Sequence, residues 1–152
     1  MTSRVLAPVA GTAVAMADVP DPVFAGAIVG PGIAIDPDRS GPVDVVAPVA
    51  GRIVKLHPHA FVVVDEDGRG VLVHLGLDTV QLDGVGFTLH AAEQDTVTAG
   101  QVLVSWNPSE VEAGGRSPLS PVVALEGEES ALEFKVDAGD AVAAGDEIFE
   151  WS

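Results

Sequence analysis

Two histidines give this chain its clearest capacity for chemistry. His59 and His74 stand at the outer ends of two β-branched-rich runs, FVVVDE and GVLVHL, and residues 67–70 between them, D-G-R-G, have the composition of a hairpin turn. Folding about that turn sets Phe61 near Leu75 and leaves His59 just beyond the end of the strand that carries His74. Two imidazoles converging at one sheet end can serve as nucleophile and donor, or as nitrogen ligands. His57 adds a third nitrogen, the count of a His-based zinc site with metallopeptidase-like chemistry, although no general base is identifiable for that alternative. The remaining histidine, His90, reads as a surface residue.

The elements that must position this pair are strands. Apolar residues make up 47% of the chain and aromatic ones 5%, with Val and Ala prominent, so the core is expected to be small-aliphatic; seventeen glycines and eleven prolines imply many turns. The run VLAPVAGTAVAM at residues 5–16 returns as VVAPVAGRIVKL at residues 45–56, 40 residues later. Two copies of A-P-V-A-G, each followed by an alternating strand, indicate a pseudo-symmetric β fold in which Gly11 and Gly51 permit tight turns. Residues 18–32, DVPDPVFAGAIVGPG, suggest a short turn or a single helical turn. There Phe24, Ile28 and Val29 fall at helical spacing, the usual mark of core, with an exposed docking patch as the alternative.

Further along, residues 79–82, 87–89 and 101–106 read as short strands, and V-x-x-G-[DQ] turns begin at Val97, Val136 and Val142. Residues 107–117 read as a surface loop, with one helical turn capped by Ser109 as the alternative. SPVVALEG, SALEFKVDAG and DEIFEW supply three further strands. The total of about ten to thirteen strands describes an all-β antiparallel sandwich or barrel.

Composition narrows the function classes. A chain of 152 residues is read as one domain spanning residues 1–152. The absence of cysteine excludes disulfides, thiolate chemistry and zinc sites built on Cys. A formal charge of -16 with seven Lys and Arg argues against nucleic acid and anionic membranes as partners, and suits solubility or the steering of a basic protein partner. The N-terminus, MTSRVLAPVAG, carries no signal pattern, and no apolar run of about eighteen residues occurs, so a cytoplasmic chain without direct membrane insertion is expected.

Several motifs in fixed order carry a family resemblance: A-P-V-A-G, VPDPVFAGAIVGPGIAI, VVAPVAGRIVK, H-A-F at residues 59–61, VHLGLDTVQLDGVGF at residues 73–87, and SPVV. Together they resemble the glucose-family IIA component, EIIA type 1, of the bacterial phosphoenolpyruvate-dependent sugar phosphotransferase system, over nearly the whole chain. The resemblance implies a β-sandwich of the duplicated hybrid motif type that carries a phosphoryl group from the phosphocarrier protein HPr to a cysteine of a separate IIB domain during sugar uptake. It implies phosphorylation of His74 on Nε2, with His59 as the neighbour that stabilises the transfer state. In the family the other ring nitrogen meets a backbone carbonyl, for which Gly76 is the expected source, and Asp78 matches an acidic residue at the docking edge. Val23, Phe24, Ile28, Val29 and Val80 match an apolar rim around the active histidine.

Two positions depart from the family pattern: His57 stands where a threonine is common and Leu75 where a phenylalanine is common. No cofactor is required by this reading, although His59 and His74 together are a place where adventitious zinc can bind. Regulatory protein partners are compatible with it, and the sugar cannot be read from a domain that never touches it. A biotinyl or lipoyl carrier is a further alternative, because A-P-V-A-G-R-I-V-K resembles part of such domains, but neither Lys55 nor Lys135 sits in the required turn sequence.

Overall fold

Runs rich in Val, Ile and Ala form the strands, and those at the centre of the large sheet, GIAIDP, AFVVV, GVLVH and SPVVA, are apolar at nearly every position. The computed structural model describes residues 2–152. Its elements in chain order are β1 (Ser3–Leu6), β2 (Gly11–Ala15), α1 (Pro22–Ala25), β3 (Gly32–Pro37), β4 (Val43–Val46), β5 (Gly51–His57), β6 (Ala60–Val64) and β7 (Gly70–His74). They continue with β8 (Thr88–Leu89), β9 (Thr96–Val97), β10 (Val102–Trp106), α2 (Pro108–Ala113), β11 (Ser120–Ala124), β12 (Leu132–Phe134), β13 (Ala141–Val142) and β14 (Glu147–Trp151). Single 3₁₀ turns lie at Met16–Asp18, Thr79–Leu82 and Glu129–Ala131. Among the described residues no helix is long and apolar enough to cross a membrane.

The strand pairs are antiparallel, and the architecture is the expected β-sandwich. One sheet has eight strands in the order β13-β2-β3-β11-β7-β6-β5-β9, and two smaller sheets have the orders β1-β14-β12 and β4-β10-β8. The A-P-V-A-G repeat becomes geometry here. Leu6 N–H donates to the Pro48 carbonyl and Val46 N–H to the Pro8 carbonyl, both at 2.9 Å, so the two copies clasp each other reciprocally. Val5 of β1 faces Phe149 of β14, as Val45 of β4 faces Val104 of β10. The large sheet maps onto itself about its central pair, β11 onto β7, β3 onto β6, β2 onto β5 and β13 onto β9, with Val122 facing Val73 on the axis.

The main core lies between the large sheet and the two small ones. It includes Val5, Val45, Ile35, Ile53, Phe61, Val73, Leu103, Val122 and Phe149, all buried. Burying such a side chain is worth about 1.5–3 kcal/mol, and this cluster is the fold's principal support. A second, smaller cluster covers the opposite face of the large sheet. Met16, Val19 and Phe24 from the segment around α1 pack there with Ala34, Leu77, Leu119 and Val123.

Three local expectations are corrected. The β6–β7 hairpin turns through residues 65–69, with Asp65 Oδ1 accepting the N–H groups of Asp67 and Arg69 at 3.0 Å, so Phe61 faces Val73 rather than Leu75. The two-residue slip keeps every side chain on its expected face, because the pleat repeats every two residues. Residues 79–82 form a 3₁₀ turn, not a strand: Asp78 enters it in the left-handed region with φ 60°, and the buried Thr79 hydroxyl donates back to the Leu75 carbonyl at 2.7 Å. Residues 107–117 contain the helix α2, whose cap is Asn107, accepting from Ser109 N–H at 3.0 Å, with Pro108 in the first helical turn.

Candidate functional site

The two ends of the hairpin built from β6 and β7 set the site. β6 begins at Ala60, which pairs with His74 at the last position of β7. One residue further out, Leu75 N–H donates to the His59 carbonyl at 2.6 Å, so the backbone fixes His59 beside His74. The rings meet edge to face with centroids 5.2 Å apart at 74°. The resulting pair stands where the hairpin pattern placed it, despite the shifted register.

Past His74 the chain must turn sharply inward. Gly76 makes that turn at φ 83°, where a Cβ would lie 2.8 Å from the Ser117 carbonyl oxygen and 2.6 Å from Thr79 Cγ2. Only glycine fits both the backbone region and the space. Leu77 N–H then donates to the same Ser117 carbonyl at 2.8 Å, tying the turn to the segment before β11. The turn aims the Gly76 carbonyl at His74, which donates to it from Nδ1 at 2.5 Å. With Nδ1 holding the proton, Nε2 of the neutral ring keeps its lone pair.

Burial and charge act on this ring in opposite directions. Desolvation is the larger effect and lowers the His74 pKa below its ordinary value, while the Gly76 carbonyl and the charges of Asp21 and Asp78 offset part of that lowering. Phe24 contributes to the desolvation, with its ring 5.3 Å from that of His74 and tilted by 59°. His59 is lowered too, first by burial and then by the neighbouring imidazoles His74 and His57. Both rings are therefore biased toward the neutral form. A neutral nitrogen nucleophile faces a second imidazole that can donate to an incoming anion.

The other expected residues fall into distinct places. His57 is exposed and stacks on His59, with centroids 5.8 Å apart at 26°. Asp78 is exposed at the start of the 3₁₀ turn. Val23, Ile28 and Val80 are exposed, Ile28 at 73% and Val80 at 59%, and Val29 is half-buried. Phe24 is buried, so it forms a wall of the His74 pocket rather than open rim surface. His90 lies away from the pair on the β8 side, in contact with Ser105, whose hydroxyl donates to Asp44 at 2.7 Å.

Sequence reasoning missed two residues. Asp21 caps α1, its Oδ1 accepting Val23 N–H at 3.0 Å, and its charge reaches His74. The signal was Asp before Pro in D-P-V-F, the pattern of a helix N-cap. Val85, 74% exposed, extends the apolar surface past Val80, and its cue was an unpaired apolar residue between two glycines, Gly84 and Gly86.

The competing readings find less support in this geometry. His57 lies against His59 and not opposite His74, and among the described residues no three His, Cys, Asp or Glu side chains are grouped to hold a metal ion. Lys55 lies within β5, paired with Val62, and Lys135 directly follows β12, its N–H donating to the Ile148 carbonyl of β14 at 2.9 Å, so neither stands at the tip of a hairpin as the modified lysine of a biotinyl or lipoyl carrier does.

Residues 3–130 match the family described as phosphoenolpyruvate-dependent sugar phosphotransferase system, EIIA 1. Among solved structures the chain is similar to glucose permease IIA from Mycoplasma capricolum, with a TM-score of 0.86 and 33% sequence identity over 99% of this chain and 96% of that one. Sequence motifs, the duplicated sandwich and the paired histidines thus converge on one assignment: the chain belongs to the EIIA 1 family of the phosphoenolpyruvate-dependent sugar phosphotransferase system.

Proposed function

We propose that this chain carries a phosphoryl group on Nε2 of His74, taking it from phosphorylated HPr and passing it to a cysteine of a IIB domain. The observation that carries this reading is the bond from His74 Nδ1 to the Gly76 carbonyl, which fixes the tautomer and leaves Nε2 as the nucleophile. In the first step the Nε2 lone pair attacks phosphorus as the donor's P–N bond breaks. In the second, the acceptor thiolate attacks and the His74 P–N bond breaks, returning the lone pair to Nε2. A phosphoramidate keeps the transfer potential that the second step needs.

The transition state spreads negative charge over the equatorial oxygens, so positioning and hydrogen-bond donors do most of the work. His59, with its ring 5.2 Å from that of His74, is the donor in this reading, supported by His57, while Gly76 sets the tautomer and Asp78 marks the charged edge of the docking face. Val23, Ile28, Val29 and Val80 form the apolar part of that face around the buried Phe24. An apolar centre with a charged edge suits partners that must dissociate quickly. These residues include no cysteine, so the acceptor thiol lies outside them. The step needs no metal; zinc held by His59 and His74 would occupy the nucleophile and block it.

The test is intact-mass measurement after incubation with phosphoenolpyruvate, enzyme I and HPr. Wild type and His59→Gln gain acid-labile phosphate and His74→Gln does not, while His59→Gln passes its phosphate to a IIB domain poorly. No phosphate on wild type, alongside active HPr on a control, overturns the proposal.

A further inference from the structure

The hairpin from β5 to β6 turns through only two residues. His57 pairs with Ala60, leaving Pro58 and His59 as the turn itself. The proline ring fixes its own φ, so where the His59 side chain points depends on where Pro58 is seated. Two neighbours abut this turn. The His57 ring lies 5.8 Å from the His59 ring and nearly parallel to it, at 26°. Gly84, in the left-handed region at φ 83°, comes so close that a Cβ on it would lie 3.1 Å from Pro58 Cγ and 3.5 Å from Pro58 Cβ. Neither contact touches His74, whose orientation is set separately through Gly76.

We propose that His57 and Gly84 are positioning residues for His59, His57 by stacking on its ring and Gly84 by letting residues 79–86 close against Pro58. The inference rests on the reading of His59 as the transfer partner. An imidazole in a two-residue turn has few packing constraints of its own. A flat neighbour on one side of the turn and a backstop at its proline restrict the ring to the orientation that meets His74. Because this transfer depends on placement, a displacement of about 1 Å costs on the order of a hundredfold in rate. The backstop segment also carries the exposed Val80 and Val85, so its position is fixed by the same short turn that offers apolar surface to a partner.

The experiment combines single-turnover transfer from the phosphorylated protein to a IIB domain with the ring resonances of His59 by NMR. His57→Ala should still accept phosphate on His74, pass it on about tenfold more slowly and shift the His59 resonances. His57→Phe, which restores a flat neighbour, should recover transfer to within about twofold of wild type. Gly84→Ala should slow transfer similarly, and Gly84→Asn, which tolerates the left-handed backbone but adds the same Cβ 3.1 Å from Pro58 Cγ, should slow it as much. Backbone strain alone would instead leave Gly84→Asn faster than Gly84→Ala. Wild-type rates and wild-type His59 resonances in both His57→Ala and Gly84→Ala overturn the proposal. So does a Gly84→Asn as fast as wild type together with a His57→Phe as slow as His57→Ala. If wild type takes up no phosphate, the carrier reading fails instead, and the His59 resonances alone decide whether these residues place the ring.

Discussion

At the scale of single residues, burial and the bond from Nδ1 to the Gly76 carbonyl make His74 neutral and directional at once. Burial lowers the His74 pKa, and Asp21 and Asp78 hold part of that lowering back. Removing either charge while keeping the shape should therefore lower the pKa further. Asp78→Asn is the cleaner variant, because asparagine tolerates the left-handed backbone at φ 60°. An NMR titration of the His74 ring should show a lower midpoint in Asp78→Asn and in Asp21→Asn, and an unchanged or raised midpoint would refute the electrostatic account. The same shifts have a consequence for stability. His59 and His74 both have folded-state pKa values below their unfolded value of 6.5, so below that pH the unfolded chain binds more protons. Their contribution is fully present above pH 6.5 and is lost as pH falls through the window between the unfolded and folded values. Urea midpoints should drop on acidification across that window, and should drop less in the His59→Gln/His74→Gln double variant.

At the scale of elements, α1 shows how much a short segment can do. Its single turn is capped by Asp21 and started by Pro22, and it places Phe24 both in the second core cluster and against the His74 ring. Phe24→Ala should cost about 3 kcal/mol, in the range of large core truncations. It should also raise the His74 pKa toward 6.5, because water reaches a ring that was depressed mainly by burial. Denaturation and the His74 titration on one sample check both, and a lost core without a pKa change would detach α1 from the chemistry. This element also marks how far the sequence was legible. Spacing suggested a helical turn with Phe24, Ile28 and Val29 inward, but α1 ends at Ala25, Phe24 is buried while Ile28 is exposed, and the contact of Phe24 with a histidine fifty residues away in the chain depends on the tertiary fold. The β6–β7 hairpin was legible as a pair of strands, but its turn was displaced by Asp65, whose carboxylate collects two backbone N–H groups and lengthens the loop. The segment at 79–82 looked like a strand because T-V-Q-L alternates, and it became a 3₁₀ turn because a buried threonine hydroxyl reached back to Leu75.

At the scale of the whole molecule, duplication and charge are the two features that composition and repeats made readable, and they do different work. The repeat of A-P-V-A-G foretold two halves, and the reciprocal bonds of Leu6 and Val46 show how they interlock; which half would carry the histidines was set by residue identity alone. On the axis-related strands, His74 of β7 corresponds to Val123 of β11, a buried core residue, so one half holds the histidine pair and the other supplies most of the cluster beside it. The charge of -16 acts on the entire surface. Self-repulsion destabilises the folded chain, while the same field draws in a donor or acceptor with a basic docking surface. Added salt should therefore move stability and function in opposite directions. Between about 10 mM and about 1 M salt the screening length falls from ~30 to ~3 Å, so the urea midpoint should rise as the carboxylates stop repelling one another. Over the same range, phosphoryl transfer at limiting partner concentration should slow by roughly tenfold or more, because steering is lost. Transfer that is insensitive to salt while stability rises would show that the negative surface serves only solubility, and would leave the apolar rim around His74 to account for partner choice by shape.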